Sequence, residues 1–368
     1  MIATLFPSSR AFATVNTDAL RHNYQRLEAA APSARLIAVV KANAYGHGVA
    51  PVVGALLDAG CRDFAVATVD EAHELRALAP DASILILGYT PPERASELAR
   101  AHLVQTVFSR EYARALSAHA GEERVGIHLK IDGGMCRLGF APDDIEGILA
   151  AAGEKGLLPL GLYTHFPSAD SDAEATLAAH RAFLACRAAL AARGLSLFAH
   201  TAASPALLAL PQTVADGARP GLALYGISPV EGVSGLRPVM SLFAPIVQIH
   251  EVPAGTPVGY GGDFVTERPS RIGTLPIGYA DGFWRAMRGF PLTLLSGGGE
   301  YTVSPAGRIC MDQTMVDLTD TPARVGDRIC LWSDASRPAA HVGTIPYEIL
   351  TAVSPRVERL VIGEQEKK

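Results

Sequence analysis

Between residues 12 and 230 the sequence repeatedly pairs a short apolar run with a segment of helical periodicity. The runs at 36–40 and 64–67, for example, have the length of strands, and helical patterns at 49–58 and 68–78 follow them, the second of which begins with the capping-box pattern of Thr68 and Glu71. The run at 222–225 is predicted to be the last strand of the series. About eight such strand–helix units predict an α/β fold in which a parallel sheet closes into a (β/α)8 barrel of the TIM type. An open doubly wound sheet is the alternative, although no G-x-G-x-x-G motif follows a strand and opens a helix.

The pattern changes near Ser234. From there to about residue 360 the sequence has short β-type runs separated by Gly and Pro, and helical periodicity returns only at 347–353. We therefore predict a barrel domain over 12–233 and a mostly β C-terminal domain over 234–368, with residues 1–11 as a candidate extra strand of the second domain. A chain of 368 residues is long enough for a barrel of roughly 250 residues and a smaller domain.

The composition excludes several functional classes. A net charge of −5 gives no reason to expect nucleic acid or an anionic membrane as a partner. The five cysteines are scattered without a C-x-x-C or Cys/His cluster, so we expect neither a metal site nor a disulfide framework, as is typical of a reducing compartment. The first residues lack the pattern of a signal peptide and no run approaches a membrane span, so we expect a cytoplasmic location.

The segment AVVKANAYGHG, residues 38–48, contains the first candidate for chemistry. Its apolar strand ends on Lys41, and glycines follow at 46 and 48. A lysine at the carboxyl end of a buried barrel strand faces the edge where such barrels keep their active sites. If the amine is partly desolvated there, its pKa falls and it can form a Schiff base. A surface lysine that merely ends a strand is the alternative.

This segment resembles the cofactor attachment segment of the alanine racemase family, which uses pyridoxal 5'-phosphate (PLP). The resemblance implies that Lys41 carries PLP as a Schiff base and that Tyr45 lies beside the cofactor phosphate. It extends along nearly the whole chain, because the family also combines an N-terminal PLP barrel with a C-terminal β domain.

A racemase needs bases on both faces of the α-carbon, and Lys41 can serve only one of them. The segment PIGYADGFWRA resembles the one that carries the family's second base, which implies this role for Tyr279. Ionising a tyrosine with a pKa of about 10 near pH 7 costs about 4 kcal/mol. In the family a hydrogen-bonded chain of a histidine and an arginine offsets part of this cost of ionisation. The matching residues are His165 in GLYTHF and Arg219 in GARPGLALYG. The alternative for Tyr279 is a strand-end tyrosine whose hydroxyl makes a structural hydrogen bond, and the alternative for His165 is a satisfied core residue.

The resemblance gives Arg219 a second role, opposite the pyridine nitrogen of PLP. A permanent cation there disfavours protonation of the ring nitrogen, so the ring becomes a weaker electron sink and side reactions such as transamination are restrained.

The cofactor phosphate needs backbone N–H groups and hydroxyls. The resemblance implies Ser204, Gly221 and Leu222 for this role, although an N-cap and a turn are the alternatives. Two positions depart from the family pattern: Ala203 stands where an asparagine often precedes the serine, and Pro355 stands about where some members have a phosphate-contacting tyrosine.

Three further residues follow from the resemblance. Arg137 in HLKIDGGMCRLGF is suited to pair with a substrate carboxylate. Lys130 matches a lysine that is carbamylated in many members, which would orient Arg137. Met311 in ICMDQ lies where the family presents backbone to the substrate. The family forms homodimers in which Tyr279 and Met311 come from the partner, and we adopt this arrangement as implied.

The resemblance therefore predicts an alanine racemase that interconverts L- and D-alanine and supplies D-alanine for peptidoglycan. One alternative is a broad-specificity amino-acid racemase of the same fold, often an exported enzyme. A barrel PLP decarboxylase is a second, against which GYADG and ICMDQ argue. A non-catalytic PLP-binding protein is a third, which we would expect to be a barrel alone.

Overall fold

A computed structural model describes residues 10–363 of the chain. Their contacts divide the chain into two compact units. One contains residues 20–44 and 49–237, and the other contains 10–19, 45–48 and 238–363. We call them the barrel unit and the sheet unit. The first strand, β1 (Phe12–Asn16), belongs to the sheet unit, and helix α1 (Thr17–Ala30) leads from it into the barrel unit.

Eight parallel strands close the barrel, each paired with the next along the chain and the last with the first. The closed sheet confirms the predicted (β/α)8 fold and rules out the open doubly wound alternative. The strands are β2 (Arg35–Val39), β3 (Asp63–Val66), β4 (Ser83–Ile86), β5 (Val104–Val107), β6 (Val125–Lys130), β7 (Leu157–Tyr163), β8 (Phe198–Ala203) and β9 (Gly217–Arg219).

Helices connect these strands and bury their apolar faces against the barrel. The helix after β3 begins with a capping box, in which Thr68 accepts from the Glu71 N–H and Glu71 accepts from the Thr68 N–H. The sequence predicted this cap. The helices are α2 (Val49–Asp58), α3 (Val69–Leu78), α4 (Ala95–Arg100), α5 (Arg110–His119), α6 (Ile145–Ala152), α7 (Ala173–Ala192) and α8 (Ser204–Ala209). Short 3-10 turns lie at Pro92–Arg94, Pro211–Thr213 and Leu222–Tyr225.

The sequence analysis was wrong about the last barrel strand, which it placed at 222–225. The strand ends instead at Arg219, because Pro220 follows and has no N–H to donate to a ladder. The apolar run Leu222–Tyr225 forms a fully buried 3-10 turn. A short apolar run is buried in either conformation, so its hydrophobicity alone does not distinguish a strand from a turn.

The sheet unit is mostly β, as predicted. Its nine-stranded sheet has the order β11-β14-β17-β16-β15-β18-β10-β1-β19, and β12 and β13 form a separate hairpin. Strand β1 lies antiparallel to β10 and parallel to β19. The strands after β9 are β10 (Met240–Pro245), β11 (Gln248–Val252), β12 (Pro257–Val258), β13 (Phe264–Val265), β14 (Ser270–Leu275), β15 (Leu292–Ser296), β16 (Gly299–Pro305), β17 (Thr314–Asp317), β18 (Arg328–Trp332) and β19 (Glu358–Ile362).

Helices α9 (Ser336–Val342) and α10 (Pro346–Ala352) precede the last strand. Three further 3-10 turns lie at Tyr260–Gly262, Tyr279–Asp281 and Arg285–Met287. The domain limits 12–233 and 234–368 stay a prediction. Of the segment 1–11, only Arg10 and Ala11 lie within the described residues.

Within residues 10–363 no helix is long and apolar enough to cross a membrane. The same residues contain no group of three or more His, Cys, Asp or Glu side chains that could hold a metal ion. All five cysteines are free thiols.

Candidate active site

The carboxyl edge of the barrel brings together residues that are far apart in sequence. Lys130 and Arg219 are the last residues of β6 and β9, and Ser204 directly follows β8. Lys41 and His165 each lie two residues beyond the ends of β2 and β7. Because the eight strands are parallel, these ends share one edge of the barrel, which is where barrel active sites are built.

Positive charge is concentrated at this edge. The pKa of Lys41 is lowered by burial and then by the nearby cation of Arg137, while Glu71 acts in the opposite direction. Burial, Arg137 and Arg219 together lower the pKa of Lys130 to about 8. A cluster of this kind favours a neutral, nucleophilic lysine amine and attracts anionic ligands.

His165 is held neutral by burial and by the same cations. Burial, followed by the charges of Arg219, Arg137, Lys130 and Lys41, lowers its pKa to about 3. The imidazole can therefore donate and accept hydrogen bonds at neutral pH, but it does not carry a charge.

Arg219 is buried and saturated on one side. Its Nη1 donates to His200 Nδ1 at 2.7 Å and to the His200 carbonyl at 2.9 Å. Its Nη2 donates to the carbonyls of Thr164 at 2.6 Å and Thr201 at 3.0 Å. Among residues 10–363, the imidazole bonded directly to Arg219 is thus His200 and not His165. Both Nη groups of Arg219 thus have acceptors, whereas no residue among 10–363 accepts a hydrogen bond from its Nε–H.

The sequence analysis missed His200. Its ring stacks on Tyr163 with centroids 4.7 Å apart, and the guanidinium of Arg219 lies 4.9 Å from the centre of the same tyrosine ring. The available signal was a histidine inside a barrel strand that is apolar apart from it and Thr201, where a buried polar group needs a partner. That signal alone does not identify Arg219 as the partner.

The chain leaves Lys41 through an unusual backbone conformation. The four residues from Ala42 to Tyr45 all have φ values between 51° and 53°, in the left-handed region. For residues with a side chain this conformation costs about 1–2 kcal/mol each. Glu71 anchors the first of them, because its Oε1 accepts from the Ala42 N–H at 2.7 Å while Oε2 accepts from the Ala67 N–H at 2.7 Å. The carboxylate therefore connects the chain after β2 to the chain after β3.

Replacing Glu71 by Ala should lower the free energy of unfolding by about 2 kcal/mol, because the Ala42 and Ala67 N–H groups lose a charged acceptor. Glu71→Gln, which keeps one oxygen, should lose less. The matched control is Glu74→Ala, an exposed glutamate on the same helix, which should change stability by less than about 0.5 kcal/mol. Urea unfolding measures all three, and equal losses for Glu71→Ala and Glu74→Ala would contradict the anchor.

The loop after β6 carries Arg137, which is exposed. Asp132 holds this loop, since its carboxylate accepts from the N–H groups of Met135 at 3.1 Å and Cys136 at 3.0 Å. Lys130 Nζ donates to the Leu138 carbonyl at 2.5 Å. The loop thus keeps Arg137 close enough for its charge to act on Lys130. The guanidinium is exposed and donates to no carboxylate of residues 10–363, so it can bind an anion.

The chain after β8 is tied to the chain after β9 through one hydroxyl. Ser204 Oγ accepts from the N–H groups of Gly221 at 2.9 Å and Ala223 at 3.3 Å. Leu222 lies between these two residues and begins the 3-10 turn. Ala203, the residue before α8, makes no side-chain cap. Ser204, Gly221 and Leu222, three of the residues predicted to contact the phosphate, are therefore brought together, and Ala203 adds no group to them.

In the sheet unit, Tyr279 and Met311 lie on adjacent backbone segments. The N–H of Tyr279 donates to the Cys310 carbonyl and that of Ala280 to the Met311 carbonyl, both at 3.0 Å. A side chain at Gly278 would collide with the Met311 carbonyl at 2.4 Å, so the two segments approach as closely as only glycine allows. The side chains of Tyr279 and Met311 remain 40% and 53% exposed.

Tyr45 belongs to the sheet unit by its contacts. Its ring lies 5.8 Å from that of Tyr347, and burial raises its pKa. The carbonyl of the next residue, Gly46, accepts from Arg359 Nη2 at 2.9 Å. Pro355 precedes Arg356, whose guanidinium donates to Asp281 and to Asp312.

Asp281 clamps the turn that presents Tyr279. Its fully buried carboxylate accepts from Arg10 at 2.8 and 2.9 Å, from Arg356 at 2.8 and 3.0 Å, and from the Gly278 N–H at 3.0 Å. Although burial acts in the opposite direction, these donors hold the pKa of Asp281 below its usual value. The sequence analysis did not single out Asp281 as a positioning residue.

Asp281→Asn should lower the free energy of unfolding by about 2 kcal/mol, because charge-assisted hydrogen bonds to a buried carboxylate are lost while both arginines can still reach water. Since the native pKa is depressed, this stabilisation is complete above the ordinary carboxyl pKa of about 3.9 and disappears as the pH falls through the native value. Asp320→Asn, in an exposed pair with Arg268, is the control and should cost less than about 1 kcal/mol. Denaturant titrations between neutral and acidic pH test both, and an equal loss in the two variants would contradict the clamp.

Comparison with known proteins identifies the group to which this chain belongs. Residues 15–229 match the family profile "Alanine racemase, N-terminal domain", and residues 239–361 match "Alanine racemase, C-terminal domain". The chain belongs to the alanine racemase family. A curated alanine racemase from Desulfovibrio desulfuricans is 39% identical over 365 residues, covering 95% of this chain and 98% of that relative. Another, from Carboxydothermus hydrogenoformans, is 39% identical over 367 residues, covering 95% of this chain and 99% of that relative.

Solved structures of alanine racemases agree in fold. The enzyme from Bacillus anthracis with bound L-Ala-P superposes with a TM-score of 0.91 at 32% identity, covering 97% of this chain and 96% of that one. The enzyme from Streptomyces coelicolor gives a TM-score of 0.88 at 36% identity, covering 99% and 100% of the two chains. As a member of the alanine racemase family, the protein is an isomerase, and the family resemblance read from its motifs is confirmed.

Proposed function

We propose that the protein is a PLP-dependent alanine racemase that interconverts L- and D-alanine with two bases. The observation that carries this proposal is the convergence, at the carboxyl edge of the barrel, of a lysine with a lowered pKa and several cations. Lys41, Arg137, Lys130 and Arg219 provide this set of charges.

The residues at this edge fit PLP and an amino acid. A phosphate dianion and a substrate carboxylate would offset the excess of positive charge. The Lys41 amine, with its lowered pKa, is suited to hold an aldehyde covalently. Thr164 Oγ1 is buried and has no hydrogen-bond partner in the described part of the chain. The Nε–H of Arg219 also has no acceptor among these residues. Such polar groups are usual where a ligand completes the hydrogen bonding.

Bound PLP supplies the electron sink that makes the α-proton of an amino acid acidic. Lys41 would hold the cofactor, and its Nζ would then move the α-proton on one face of the substrate. The hydroxyl of Tyr279 would move the proton on the other face. His165, kept neutral by burial and the surrounding cations, would serve as the hydrogen-bond partner of that hydroxyl.

The remaining residues would bind and orient. Arg219 would direct its Nε–H to the pyridine nitrogen, because its Nη groups are already engaged. Ser204, Gly221, Leu222 and Tyr45 would hold the phosphate.

Substrate contacts would come from three residues. Arg137 would pair with the substrate carboxylate, and Met311 would present backbone to the substrate. Carbamylation requires a neutral amine, and the pKa of Lys130, lowered to about 8, gives it a larger neutral fraction than an ordinary lysine has; a carbamate there would orient Arg137.

We further propose a cytoplasmic homodimer in which Tyr279 and Met311 complete the site of the partner chain, and a role in supplying D-alanine for peptidoglycan. The exposure of both side chains supports the first part, since a base must reach substrate. Sedimentation of the protein with and without PLP tests the dimer, and a monomer at all concentrations would contradict it.

The direct test of the activity is racemisation of L-alanine and D-alanine by the purified protein with PLP, followed by chiral chromatography. The expected result is conversion of each enantiomer to an equimolar mixture. Faster racemisation of larger amino acids would favour the broad-specificity racemase. Release of carbon dioxide would favour a decarboxylase. Bound PLP with no reaction on any amino acid would favour the non-catalytic protein.

A further inference from the structure

Arg219 is the first member of a buried chain of hydrogen bonds that continues away from the active-site edge. Its Nη1 donates to His200 Nδ1 at 2.7 Å, and His200 Nε2 lies 2.8 Å from His128 Nδ1. His200 is fully buried, and His128 is 9% exposed. The chain therefore runs through the interior of the barrel, from the end of β9 to the middle of β6.

The directions of these hydrogen bonds fix both imidazole tautomers. A guanidinium only donates, so His200 Nδ1 must be the acceptor and carry no proton. The neutral ring of His200 then has its proton on Nε2 and donates it to His128 Nδ1. By the same reasoning the neutral ring of His128 carries its proton on Nε2. Burial and the charge of Arg219 lower the pKa of both histidines, which agrees with two neutral rings.

The barrel is shaped to accept these two rings. The strand register shifts between Ile127 and His128 in the β6–β7 pair, and between His200 and Ala202 in the β8–β9 pair. Such irregularities change the direction of side chains. A Cβ on Gly161 would lie 2.6 Å from His128 Nε2, so a glycine is needed beside that ring.

His128 also lines a cavity at the opposite, amino-terminal end of the barrel. This basal cavity has a volume of about 240 Å³ and is lined in part by Arg35, Asp63, Ser83 and Phe198, the first residues of four barrel strands. Its volume and its polar lining are sufficient for several water molecules. Solvent is thus the available acceptor for the last proton of the chain.

We propose that His128 is a positioning residue, whose Nδ1 accepts from His200 Nε2–H and thereby holds the His200 ring in the orientation in which it accepts from Arg219, with water in the basal cavity accepting from His128 Nε2. In its functional part this inference rests on the proposed function, because Arg219 is there assigned to the pyridine nitrogen of PLP. His128 acts on Arg219 only through His200 and is therefore not a catalytic residue.

The first test needs no substitution. The full-length protein, labelled with ¹⁵N in its histidines, is studied as purified and again with added PLP. His200 should show a directly bonded proton at Nε2 and none at Nδ1, and neither His128 nor His200 should titrate between about pH 5 and 8, the range in which an ordinary histidine does. A His200 protonated at Nδ1, or a titration of either ring in this range, overturns the proposal.

The second test compares two substitutions of His128. An asparagine amide can place an oxygen near the position of Nδ1, so His128→Asn should keep the His200 tautomer and most of the activity. His128→Leu fills similar space without an acceptor, so the Nε2 proton of His200 should lose its hydrogen bond and the His200 ¹⁵N and proton signals should shift, while Nδ1 stays unprotonated. Its kcat should fall roughly tenfold while KM for alanine changes little, because the loss falls on Arg219 and not on substrate binding.

His180→Leu is the matched control, since His180 is also 9% exposed but lies on helix α7. It should leave the His200 spectrum unchanged. If His128→Leu and His128→Asn have equal effects on that spectrum, the ring has only a packing role and the proposal is wrong. If the protein proves not to racemise alanine, the spectra still decide the tautomer question, so the two proposals fail separately.

Discussion

Lys41→Ala will lose racemase activity by a factor of roughly 10⁴ or more and will no longer bind PLP covalently. Two proposed functions of one side chain would disappear together, because Lys41 is proposed both as the covalent anchor of the cofactor and as the base for one face of the substrate. Borohydride reduction followed by mass spectrometry measures the covalent link, and chiral chromatography measures the activity.

The cofactor-free stability of the same variant provides an independent check. Since the folded protein lowers the pKa of Lys41 through burial and the charge of Arg137, a protonated Lys41 disfavours the folded state. The melting temperature of Lys41→Ala without PLP should therefore equal or exceed that of the wild type. Lys41→Arg is the control, because it keeps a charge without a nucleophilic amine and should be equally inactive. Covalent PLP in either variant would show that another lysine is the anchor.

The sequence predicted the architecture because its signals are local and repeated. Alternating strand and helix patterns leave few arrangements other than a barrel, and the change of pattern near Ser234 marks the β region. The prediction of a strand at 222–225 was wrong, because a buried turn and a buried strand can have the same apolar composition. The position of Lys41 at a strand end could be inferred from its motif, since the edge of the barrel follows from the fold.

The supporting residues could not be inferred in this way. Glu71 was identified only as a helix cap, yet its second oxygen bonds to Ala42 across the barrel edge. His200 and Asp281 bond to partners from other elements, Arg219 in one case and Arg10 in the other. Such pairs depend on register and three-dimensional proximity, for which a single sequence has no periodic signal. Motifs thus indicate which groups can do chemistry, while contacts between distant elements determine how those groups are held.

Tyr279→Phe will retain covalently bound PLP but will lose exchange of the α-proton of L-alanine by about 10²–10⁴-fold, the usual contribution of a general base. Exchange of D-alanine, for which Lys41 is the proposed base, should persist better. Solvent-deuterium incorporation at the α-carbon, followed by mass spectrometry for each enantiomer, measures the two faces separately. Overall racemisation should fall with the slower face, because inversion requires a proton transfer on both.

The substitution removes only a hydroxyl from a side chain that is 40% exposed, so the fold of the sheet unit should be unaffected. Tyr260→Phe, at a more exposed tyrosine of the same unit, is the control and should exchange both enantiomers normally. The asymmetry between enantiomers is the decisive feature, because a general loss of cofactor or of structure would slow both exchanges together. Equal loss for L- and D-alanine would assign Tyr279 to binding, and normal racemisation by Tyr279→Phe would show that another residue is the second base.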